Sequence, residues 1–198
     1  MRHAFPSVCW LVLYCVLASC GQRIDRSVVR DRNGRMRALL DRVDGLKHGS
    51  VILYAADSRV RCTGWNLRGQ PVFWWHRYHP NGAIASLEHF TAGVKDGVQS
   101  YWSPEGQLLC AEKFTRGLSD GPLIKFYADG TPEQWSTFVN GKQHGRHLHW
   151  FREGNKPTSF LEGEFMHGSH HGHWIEVLTN GQILWQGNYD NGRLLNNY

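Results

Sequence analysis

Glycines recur along this chain at a fixed interval, and no other feature restricts its fold so strongly. Gly45, Gly69, Gly93, Gly117 and Gly141 stand 24 residues apart; Gly168 follows after 27 and Gly192 after another 24, so one unit is present in seven copies. Self-similarity at such a period marks stacked supersecondary units, each too small to bury its own apolar face. A second series keeps the same phase: Gly34, Gly82, Gly106, Gly130, Gly154 and Gly181, with Ser58 in the remaining place. The residue before each is Asn33, Asp57, Asn81, Glu105, Asp129, Glu153 or Asn180. Pairs such as Asn-Gly and Asp-Gly supply the positive φ of tight hairpin turns, so each of these positions is read as a turn.

Between the glycines the pattern is that of strands. Gly49, Gly97, Gly121, Gly145 and Gly172 lie four residues after the first series, with Phe73 and Asn196 as exceptions. Phe90, Phe114, Phe138, Phe165 and Tyr189 lie three residues before it. Ile52 and Tyr54, Ile124 and Phe126, Leu148 and Trp150, and Ile175 and Val177 hold matching places two residues apart, which puts both members of each pair on one strand face. The expected fold is therefore all-β: an elongated single antiparallel sheet of stacked β-hairpin repeats over residues 28–198. The three extra residues before Gly168 fall around Lys156-Pro157-Thr158. Pro157 has no N–H for a ladder, so a bulge or longer loop is expected there.

The formal charge of +5 is unevenly spread. Residues 22–47 hold eight basic and four acidic side chains, whereas residues 48–198 hold thirteen of each. A repeat body of zero net charge offers no excess of cations to a phosphate backbone, which argues against nucleic acid. At the start, Arg2 precedes the apolar run VCWLVLYCVL at residues 8–17. Ten apolar residues are too few to span a bilayer and suit a signal-peptide core. Two cysteines lie inside that segment, and beyond residue 20 only Cys62 and Cys110 remain. They share a column two repeats apart, about 19 Å, far beyond disulfide reach, so two free, buried thiols are expected.

Leu17-Ala18-Ser19-Cys20 resembles the bacterial lipobox. The resemblance implies removal of residues 1–19, lipid attachment at Cys20, and a basic tether over residues 20–27. With Gly21 after the cysteine, it also implies a cell-envelope protein at the outer membrane, facing the periplasm. The unit seen as Phe138-Val139-Asn140-Gly141-Lys142-Gln143-His144-Gly145, followed by Trp150, resembles the bacterial MORN-variant repeat, many of whose members are YwqK-type antitoxins or immunity proteins. What the resemblance implies is a repeat scaffold for a protein partner, a toxin among the candidates.

Candidate chemistry is sparse. Seven of the twelve histidines, His144, His147, His149, His167, His170, His171 and His173, fall within one 30-residue stretch. Except for His167, they are the candidate zinc or copper ligands, though His48, His144 and His171 sit in a turn column that also holds Asp96 and Asp120. Gly168-Ser169-His170-His171-Gly172 looks like a phosphate loop but recurs at the repeat period, so it reads as a turn. Glu88, Glu112, Glu162 and Glu164 are read as solvated strand carboxylates, and adjacent Trp74 and Trp75 as pointing to opposite faces. No catalytic set and no cofactor motif is visible. The expectation is a non-enzymatic, lipid-anchored scaffold for a protein partner. A structural or assembly lipoprotein that contacts peptidoglycan, glycan or an envelope complex is the alternative, and metal binding by the histidines is a weaker one.

Overall fold

The computed structural model describes residues 23–197, which form one open antiparallel sheet with no helix. Its strands are β1 Asp25–Arg30, β2 Met36–Val43, β3 Leu46–Tyr54, β4 Val60–Leu67, β5 Gln70–Tyr78, β6 Ile84–Thr91, β7 Val94–Lys95 and β8 Gly97–Trp102. They continue with β9 Leu108–Thr115, β10 Leu118–Phe126, β11 Pro132–Val139, β12 Lys142–Glu153, β13 Lys156–Met166, β14 Ser169–Leu178, β15 Ile183–Asp190 and β16 Arg193–Asn197. Strand order follows chain order throughout, with β7 and β8 both pairing with β6. The sheet is thus seven hairpins behind one leading strand. That strand starts at Asp25, three residues ahead of the expected start of the array, and residues 25–27 pair with β2.

The two glycine series build the two edges of the array in different ways. At the Gly45 series each hairpin closes through two residues that are both left-handed, as at Ala92 (φ 47°) and Gly93 (φ 87°). This is a type I′ turn, whose twist matches the strands it joins. The first residue is Asp44, Arg68, Ala92, Arg116, Asn140, His167 or Asn191, so Asn and Asp are not required. Gly154 apart, the Gly34 series makes wider turns, and throughout the series only glycine, or Ser58, has positive φ. The glycine of each Asn-Gly or Asp-Gly pair supplies the expected positive φ, while the Asx side chain before it accepts a hydrogen bond. Asp57 Oδ1 takes the Arg59 N–H at 3.1 Å, Asn81 Oδ1 that of Ala83 at 3.0 Å, and Asp129 Oδ1 that of Thr131 at 3.0 Å.

The hairpins lock to one another at these edges. Turn Gly117 N–H donates to the Lys95 carbonyl of the preceding repeat, Gly141 to Ser119 and Gly192 to His170, each at 2.8 Å. The three extra residues do not form a loop. They lengthen one hairpin, pairing Glu153 with Lys156 and Arg152 with Pro157 around a two-residue turn at Gly154 and Asn155.

One face carries a row of paired residues that crosses the whole sheet. Leu40 pairs with Val51 and Val51 with Gly64; Trp75 pairs with Glu88. Gln99 pairs with Glu112, and the row continues through Leu123, Ser136, His147 and Gly163. Trp174 then pairs with Gly187. This row is the core: Val51, Gln99, Ser136 and Trp174 are at most 3% exposed. Glycine stands beside tryptophan in it for a steric reason. A Cβ on Gly64 would lie 2.2 Å from the Trp75 ring, and one on Gly163 2.1 Å from Trp174.

Candidate functional site

The opposite face is less covered. Ile124 and Phe126 of β10, Pro132 and Trp135 of β11, and Leu148 and Trp150 of β12 line an open groove of about 300 Å³, whose accessible lining is almost wholly apolar, with Arg146 beside it. The alternation of the strands places these side chains there, since Ile124 and Leu148 both pair with Trp135. All six except Pro132 are half-buried, and Pro132 is exposed. Neighbouring repeats carry the same column outward as Tyr54, Tyr78 and Trp102, also half-buried. At the rim, Arg146 pairs with Glu162 at 2.8 Å. Such a surface can bind by apolar contact and stacking; it presents no nucleophile.

The crowded face holds a charged cluster that strand chemistry alone does not announce. Glu88, expected to be solvated, is 6% exposed. Its carboxylate accepts from Arg77 Nε at 2.8 Å and from Tyr101 Oη at 3.2 Å, and Lys95 Nζ lies 3.3 Å away. Burial pushes the Glu88 carboxyl up, but Arg77 and Lys95 outweigh it and hold the group below the usual range. Glu112 is likewise tied, accepting from Ser119 Oγ at 2.5 Å. The signal for this lies in the columns: Glu88 is in the row of Leu40 and Ser136, a row that faces inward. Both Glu88 oxygens are engaged, which makes the cluster a structural pin between hairpins.

The histidines separate by face and edge. His147 lies in the core row and His149 beside it, their rings stacked with centroids 6.5 Å apart. His170 packs on Trp174 at 4.4 Å. His144 and His171 belong to the turn column, where Asp96 accepts the Arg116 N–H of the next turn and Asp120 that of Asn140, both at 3.4 Å. His144 meets the equivalent turn residue, His167, with ring centroids 5.1 Å apart. This gives the column its polar character. His173 lies elsewhere, contacting Gln186 at 3.3 Å. Among the described residues, no three His, Cys, Asp or Glu side chains come together to hold a metal ion.

Trp74 and Trp75 divide as expected: Trp74 is exposed and edges onto His89, while Trp75 covers Gly64. Cys62 and Cys110 are both free, but only Cys62 is buried as expected; Cys110 is half-buried. Burial pushes both thiols up, away from the reactive thiolate. The expected signal segment, residues 1–19, and Cys20 lie outside the described residues. No family model matches the chain, and no curated protein matches it.

Proposed function

We propose that this chain is a non-enzymatic, lipid-anchored repeat scaffold that binds a protein partner through its open face. The groove between β10 and β12 carries this reading, because contiguous half-buried aromatic and aliphatic side chains on a surface mark interaction sites. The partner class favoured by the repeat resemblance is a toxin, neutralised by this chain as an immunity protein. Lipid attachment at Cys20 places the array at the envelope membrane. The basic residues of positions 22–47 then lie at the membrane-proximal end.

Photo-crosslinking in intact envelopes tests this. A benzophenone side chain at position 148 or 150 is expected to yield one discrete protein adduct that is absent when the probe sits at position 184, an exposed site on β15. Equal yields from both positions, or none from the groove, contradict the proposal. A second reading, contact with peptidoglycan or surface glycan in a structural role, is favoured by the outward column Tyr78, Trp102, Phe126 and Trp150, since aromatic faces stack on sugar rings. It predicts adducts with glycan strands or resident envelope proteins instead.

A further inference from the structure

We infer that the imidazole cluster on β11–β14 is an acid-sensitive joint, which holds the fifth and sixth hairpins together while His147 is neutral and loosens them when it takes a proton. The geometry suits the neutral form of His147. Gln134 Nε2 donates to Ser136 Oγ at 2.8 Å, which leaves the Ser136 hydroxyl proton for His147 Nδ1, also at 2.8 Å. A proton arriving on Nδ1 meets a donor, and turning that hydroxyl away leaves its hydrogen without a partner in a site where Ser136 is 1% and His147 9% exposed.

Nothing around His147 offers compensating negative charge. On its own strand the neighbour is His149; across on β13 are Gly163 and Phe165, and on β14 are Trp174 and His170. The charges that act on His147 are those of His149 and His170, which oppose a third. Lys125 of β10 and Glu133 of β11 act on His149. Glu176 of β14 is held by Ser159 at 2.6 Å, and Tyr189 of β15 stacks on His170. Burial first, and the two other imidazoles second, lower the His147 pKa to about 4. Loosening reaches the groove directly, because Leu148, between His147 and His149, lines its floor. The joint itself does not depend on what the groove binds.

Peptide-resolved hydrogen exchange on the full chain reads this without any partner. A site protonating at about 4 when closed and near 6.5 when open favours opening about 20-fold more at pH 5 than at pH 7. After correction for intrinsic exchange, amides of β12 and β13 are expected to gain that factor, and those of β3–β5 much less. His147→Leu, which copies Leu123 in the same row, removes the gain. His147→Asn keeps an acceptor for Ser136 without titrating, and it does the same should the leucine variant not fold. Unchanged exchange of β12 and β13 between the two pH values, or a gain that persists in a folded variant, overturns the joint.

Discussion

Phe73 occupies the place that glycine holds in the copies around it, and its backbone follows theirs, at φ 59° with the ring exposed. A left-handed conformation costs a non-glycine residue roughly 1–2 kcal/mol. Phe73→Gly is therefore expected to raise stability by about 1 kcal/mol, read as a higher urea midpoint. Gly163→Ala acts the other way: its Cβ meets backbone-anchored Trp174, and overpacking of this kind costs about 1–3 kcal/mol. An unchanged midpoint would mean that Trp174 has another place to go. Glu88→Gln tests the buried cluster. Because Arg77 and Lys95 are partly exposed, the expected loss at neutral pH is only about 1–2 kcal/mol. Its sign with pH follows from the lowered Glu88 carboxyl: the stability it contributes is present above the usual carboxylate pKa and is lost as pH falls through the folded value. The variant's stability curve should therefore be flatter on the acid side.

The hairpins share one small set of devices: a type I′ turn at one edge, a wider turn beside a bulge at the other except at Gly154, and, from the second hairpin on, a turn glycine bonded to the preceding repeat. Such an element is interchangeable to a first approximation. Deleting residues 118–141, one 24-residue period, joins Gly117 to Lys142 in phase and should leave a cooperative fold whose urea m-value falls in proportion to the lost surface. Deleting residues 118–129 alone breaks the phase and should leave no such transition. The strands, the pairing order and the free thiols could be read from the chain because spacing alone sets them. The turn type could not: Ala92, Arg68 and Arg116 accept positive φ because strand twist demands it, with no Asn or Asp to announce it. Nor could the burial of Glu88, which depends on two bulges per repeat that shift which residues oppose each other. The insertion at Pro157 reads as a bulge or a longer loop because proline cannot donate to a ladder; the register does shift between Phe151 and Arg152, and the strands on either side lengthen around it without a longer loop. The groove itself was half legible, as matching aromatic columns, but its outward aspect required knowing which face the Gly64–Trp75 and Gly163–Trp174 pairs crowd.

At the scale of the molecule, an open single sheet keeps one face for its own cohesion and leaves the other less covered. That division holds only if the repeats advance in equal steps without closing on themselves. Leu46, Leu118 and Arg193 stand in one column, each one residue past a turn glycine and each exposed, three repeats apart in succession. With six strand spacings of about 4.8 Å between neighbours of this series, each interval is about 29 Å and the full span about twice that, less any coiling. Spin labels at pairs of these positions, with Cys62 and Cys110 replaced by serine, measure it by pulsed dipolar spectroscopy. The open array predicts two similar short distances and one long distance approaching their sum; a 46–193 distance no longer than the 46–118 distance would contradict it.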